Sequence, residues 1–152
     1  MRSTLSLLPP LLITMMAACG DDAEPLFPAD YSTTYTQVRD CRSSADHELH
    51  FIRVLADPAA LGPYMGRTDP FPDGAIVLKE EHDFGDTDCS GTVVNWTVMV
   101  RDSTAVDTEG WQWQKVDANR KVTSSNESRC FGCHHDCGVP PDGYLGTCAI
   151  PP

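Results

Sequence analysis

Val94-Asn95-Trp96-Thr97-Val98-Met99-Val100 is the stretch that decides the fold class. Val94, Trp96, Val98 and Val100 alternate with Asn95, Thr97 and Met99. That is the period-two pattern of a half-buried antiparallel strand. Working outward, Ala75 to Glu81 reads as the preceding strand. Trp111 to Val116, with Trp111 and Trp113 alternating with Gln112 and Gln114, reads as the following one. Glu48 to Leu55 reads as a strand further upstream, with His50, Ile52 and Val54 on one face and Leu49, Phe51 and Arg53 on the other. Tyr31 to Val38 fits a short strand or a short helix. Asp57-Pro58 is a helix cap followed by proline at the first helical position. Asp69 to Gly74 is a turn. Residues 117–129 are polar, 136–152 are rich in Pro and Gly, and there is no repeat, heptad or long helix. Runs of strands with frequent turns predict a mainly β (α+β) domain, an antiparallel sheet with a few short helices.

Near the C-terminus lies Cys130-Phe131-Gly132-Cys133-His134, a C-x-x-C-H pattern. Two thiols three residues apart can form thioethers with the two vinyl groups of a porphyrin, and the next histidine then ligates the iron, so the pattern predicts one covalent haem c. Two other readings compete. Cys130, Cys133, Cys137 and Cys148, with His134 and His135, could hold zinc; or Cys130 and Cys133 form a strained disulfide. His47, His50, His82, Met65 or Met99 could fill the sixth position on iron, although His50 shares a face with Ile52 and Val54 and reads as a core histidine. Glu127, the carboxylate nearest the motif, reads as a solvated loop acid. His135 is given no role.

Residues 1–18 read as an export signal: Arg2, an apolar run from Leu5 to Met16, then small residues. Met16-Ala17-Ala18-Cys19 resembles a bacterial lipobox, with lipid on Cys19; the alternative is ordinary cleavage that leaves Cys19 free. Residues 19–26 then form a tether, and 27–152 the domain. These readings predict a periplasmic or outer-membrane lipoprotein of the bacterial cell envelope that meets the membrane only through its anchor. The chain has 11 Lys and Arg against 22 Asp and Glu, a net charge of −11. Loss of residues 1–18 removes one base and no acid. So acidic a chain lacks the basic footprint of a nucleic-acid binder, and its field favours a basic redox partner or a small cation. Of the seven cysteines, one goes to lipid and two to haem. The even remainder in an exported chain predicts two disulfides. Of three pairings, Cys41–Cys89 with Cys137–Cys148 is preferred, one bridge in the body and one in the tail.

Several stretches appear in the order seen in the cytochrome P-460 family: Phe27-Pro28-Ala29-Asp30-Tyr31, Ala56-Asp57-Pro58-Ala59-Ala60, Phe71 to Glu80, Met99-Val100-Arg101-Asp102, Gly110-Trp111 and Cys130 to His134. The chain resembles that family from Phe27 to His134. The resemblance implies a β-rich homodimer whose haem has His134 as proximal ligand and an open distal side. It implies either oxidation of hydroxylamine or, as in the related cytochrome c-prime-beta proteins, binding of nitric oxide and other gases. The lysine that family enzymes join to the porphyrin matches Lys79. Its face also carries Ala75 and Val77, so Lys79 is either a desolvated neutral amine or a solvated lysine at a strand end. The family's distal arginine has no clear match, because Arg53 is one residue out of register, which in a strand changes the face. Three haem functions follow from these readings, and the zinc reading gives a fourth, a zinc-stapled structural domain. One is a haem enzyme oxidising hydroxylamine or a related small nitrogen compound and passing electrons to an external carrier. The second is a gas binder, and the third an electron-transfer cytochrome with a filled sixth site.

Overall fold

The computed structural model describes residues 23–148; the export signal, Cys19 and the start of the tether lie outside the described residues. Six antiparallel strands form one sheet in sequence order: β1 Thr36–Ser43, β2 Phe51–Ala56, β3 Ile76–His82, β4 Val93–Arg101, β5 Trp111–Asp117 and β6 Val122–Ser125. Three short helices accompany it: α1 Tyr31–Thr34, α2 Pro58–Gly66 and α3 Ser128–Cys137. The mainly β expectation matches this architecture. Among the described residues no helix is long and apolar enough to cross a membrane.

The alternation in β4 has a different physical meaning from the half-buried one expected. Both faces of the sheet are covered. Leu55, Leu78, Trp96, Val98 and Val116 pack under Phe27 and Tyr31 of the N-terminal segment. Val54, Val77, Met99 and Trp113 face the other way, toward α2 and the C-terminal helix. Thr97, a polar position in the pattern, therefore looks into the interior of the molecule rather than into water.

Other boundaries differ for local reasons. Tyr31 to Val38 holds both a helix and the start of a strand, with Tyr35 N–H donating to Tyr31 O at 2.8 Å where the helix stops. The strand expected from Glu48 begins at Phe51, because Glu48 and Leu49 take left-handed backbone angles, φ 57° and 65°. The polar stretch 117–129 contains β6. Asp117 closes its hairpin by accepting from the Asn119 and Lys121 amides, both at 2.9 Å, a side-chain turn of the kind Asp favours. Asp57 caps α2 by accepting from Ala60 N–H at 2.7 Å, with Pro58 in the first turn, as the sequence predicts.

The two disulfides are Cys41–Cys89 and Cys137–Cys148, as expected. The first ties β1 to the loop between β3 and β4 across a separation of 48 residues. Replacing both of its cysteines with Ala is expected to lower the unfolding free energy by about 2–4 kcal/mol, measured by urea denaturation of the oxidised protein. No change would show that the loop is held by its other contacts.

Candidate functional site

The C-x-x-C-H segment is helical. In α3, Cys130 lies in the first turn, its amide donating to Glu127 O at 2.9 Å. Spacings of three and four residues put Cys130, Cys133 and His134 on neighbouring positions of one helix face. Cys130 and Phe131 pack on the core at Trp113 and its neighbours. Cys130 and Cys133 are the free cysteines among the described residues.

His134 is fixed from two sides. Its ring meets Trp113 edge-on, with centroids 4.6 Å apart. Its Nδ1 lies 2.6 Å from Gly146 O, so Nδ1 must carry the hydrogen and donate, which leaves Nε2 with a free lone pair. Burial, with the charge on Lys79 adding to it, pushes the imidazole down to about 4, so the ring is neutral. A single tautomer set by a backbone carbonyl is the usual preparation of a metal-ligating histidine.

The loop that supplies this carbonyl is itself held in place. Gly146 has φ 87°, and a Cβ there would come within 3.0 Å of the Trp111 indole, so a glycine is needed. Trp111 Nε1 donates to Leu145 O at 3.0 Å. The Cys137–Cys148 bridge closes the loop just beyond.

A cavity of about 420 Å³ lies between α3 and the sheet, lined by all three motif residues. Its floor is built of directly paired strand residues. Val54, Lys79, Thr97 and Lys115 form one row across β2 to β5, and Val77, Met99 and Trp113 form the next. Lys79 thus stands in the middle of the sheet, on the cavity face.

Lys79 is part of a hydrogen-bonded chain. Its Nζ lies 2.5 Å from His47 Nε2, and His47 Nδ1 lies 3.1 Å from Glu81 Oε1. His47 comes from the 3-10 turn Ala45–His47 that joins β1 and β2. Burial, foremost, holds the His47 imidazole below its ordinary value. The neutral ring donates from Nδ1 to the Glu81 carboxylate and accepts from Lys79 at Nε2. Burial also pulls the Lys79 ammonium down to about 8, against the opposing pull of Glu81.

Several residues named from the sequence lie elsewhere. Of the candidate sixth ligands, His47 and Met99 line the cavity, but His50, His82 and Met65 do not. His50 Nδ1 is 2.9 Å from His82 O, His82 is buried beside Asp86, and Met65 is exposed. His47 has both ring nitrogens engaged, which leaves none for a metal. Arg53 is on the opposite face, paired with Glu80, whose carboxylate also accepts from Tyr31. Glu127 is exposed at the cavity rim, and His135 is exposed and pairs with Glu109. The four-cysteine zinc site is excluded, since Cys137 and Cys148 are joined to each other.

Sequence reasoning missed Arg42, Tyr64, Glu81 and Thr97. Arg42 Nη1, Tyr64 Oη, Glu81 Oε2, Thr97 Oγ1 and Trp113 Nε1 are all buried on this cavity, with no hydrogen-bond partner among the described residues. Orphaned polar atoms of this kind carry a real energetic cost, and their convergence marks a space shaped for a polar guest. Two free thiols in register with a neutral histidine, an apolar floor and a ring of unused polar atoms fit a c-type haem.

In comparison with known families, residues 28–138 match the model of the family described as Cytochrome P460. No curated protein matches the chain.

Proposed function

The chain belongs to the cytochrome P460 family, and on that premise we propose that it is an exported c-type haem protein that oxidises hydroxylamine or a related small nitrogen compound. Electrons then pass to an external carrier, and a lipid on Cys19 holds the protein in the bacterial cell envelope. The bound haem supplies an iron that takes the nitrogen lone pair and accepts electrons. Cys130 and Cys133 would hold it covalently, and His134 would ligate it through Nε2. Thr97 and Glu81, with unused polar atoms on the cavity, would orient a small polar substrate by hydrogen bonds. The acidic surface favours the approach of a basic electron carrier.

The observation that carries this reading is the arrangement of Lys79. A lysine solvated at a strand end would suit a gas binder equally well. A lysine on the cavity floor, hydrogen-bonded to a neutral histidine and with its pKa pulled to about 8, is suited to covalent chemistry. The test uses mature protein exported with a cytochrome c maturation system. Expected are one haem per chain by intact mass, a red-shifted ferrous absorption band, and hydroxylamine-dependent reduction of an added electron acceptor. Protein that binds nitric oxide but reduces no acceptor would leave only the gas-binding reading. A sharp low-spin six-coordinate spectrum would mean electron transfer.

A further inference from the structure

Acids outnumber bases two to one in this chain, 22 to 11, yet Arg39, Arg42 and Arg67 gather around one side chain, the phenol of Tyr64. Tyr64 is 2% exposed and its hydroxyl has no partner among the described residues. Arg39 Nε and Arg42 Nη1 are likewise buried without a hydrogen-bond partner. No carboxylate pairs with either of these arginines among the described residues. Both arginines are half-buried, and an acceptor beside the orphaned nitrogens and the phenol would satisfy all three.

The backbone produces this cluster through a fault in strand pairing. Arg39 and Arg42 are three residues apart, so a regular strand would send them to opposite faces. Between them β1 carries a bulge: Arg39 sits opposite Val54, and Arg42 sits opposite Ile52, only two residues away. The extra residue turns both arginines to the face of Val54 and Ile52, which line the cavity. Re-aiming a side chain beside a functional site is a common use of bulges. Tyr64 comes to the same place from α2, which packs on β1 to β3.

Arg42 and Tyr64 line the same cavity as the C-x-x-C-H helix, while Arg39 acts on Tyr64 from outside that lining. α3 packs on β5, and Arg39 and Arg42 belong to β1. At roughly 4.8 Å per strand, four steps separate them by about 19 Å across the sheet. A porphyrin held by its vinyl edge at α3 has its two carboxylates on the far edge. We infer that Arg42 and Tyr64, with the charge of Arg39 beside them, form a carboxylate clamp that receives a propionate of the haem and so sets its orientation over the sheet. This rests on the haem reading given above. The alternative source of the same chemistry is a free small oxyanion.

The experiment uses the mature holoprotein and its Arg39→Gln/Arg42→Gln variant. The variant is expected to keep covalent haem, to shift the propionate bending band in the resonance Raman spectrum, and to have a lower midpoint potential. The sign follows from removing cations beside the carboxylates, which favours the ferric state. Inorganic phosphate should leave the wild-type potential unchanged. An unaltered Raman band and potential would overturn the clamp, as would saturable phosphate binding that the variant abolishes, since that means a free-anion site. If the glutamine variant takes up no haem, Arg39→Lys/Arg42→Lys decides. It retains charge but loses the planar fork, so its propionate band should shift, and a wild-type band would overturn the proposal. Wild-type protein without any haem would sink the haem reading, and the clamp with it, whereas haem with unchanged signals in the variants sinks the clamp alone.

Discussion

Replacing both Cys130 and Cys133 with Ala is expected to abolish covalent haem attachment completely. The other four cysteines of the described residues are committed to disulfides, so among those residues no substitute thiol stands near α3. Each single variant should keep one thioether and attach haem less efficiently, because the remaining sulfur still lies on the helix face of His134. Intact mass under denaturing conditions measures this, since only covalent haem survives. His134→Ala is the complementary case. It leaves both thiols and should retain haem mass, but it removes the Nε2 lone pair that Gly146 O prepares, so the spectrum must change. Covalent haem in the double cysteine variant would remove the basis for assigning this segment, and an unaltered spectrum in His134→Ala would place another ligand on the iron.

Wherever side chains alternate without interruption, the sheet was legible in the sequence. β3, β4 and β5 lie within a residue or two of their expected bounds, because period two is a local property of the chain. The bulges of β1 were not legible, since register depends on a partner strand, and one inserted residue reverses a face. For that reason Arg42 was missed while Arg53 was weighed and proved to face away. The covering of both sheet faces was also hidden. Thr97 and Glu81 look like solvent-side residues until the helix that roofs them is in place. Counting gave the number of disulfides and chain position the preferred pairing among three, but not their purpose. Cys137–Cys148 staples the loop whose Gly146 carbonyl orients His134.

Lys79→Ala is expected to remove the red-shifted ferrous band and to lower hydroxylamine oxidation by about 100-fold or more, the scale of losing a positioned reactive group, while haem stays attached. A lysine can join a porphyrin carbon only as the free amine. In doing so Lys79 would give up one N–H hydrogen as the ring gives up one C–H, so an added oxidant such as a peroxide must take two electrons. The position of Lys79 supplies the amine. Burial lowers its pKa to about 8, and His47, kept neutral and oriented by Glu81, accepts its hydrogen at 2.5 Å. The direction of the pH effect follows. Formation of the band should accelerate as pH rises, reach half its limiting rate near pH 8 and level off above it, whereas an ordinary lysine would reach its half-point only near pH 10.4. The same depressed pKa works against folding below pH 8, where the unfolded chain holds the proton more tightly, and this cost fades as pH rises toward the unfolded value. Lys79→Arg separates chemistry from charge: it keeps a long cation in the row with Val54 and Thr97 but cannot deprotonate, so it should behave like Lys79→Ala. Should Lys79→Arg keep the band and the turnover, the amine is not the reacting group, and the cavity is better read as that of a gas-binding cytochrome.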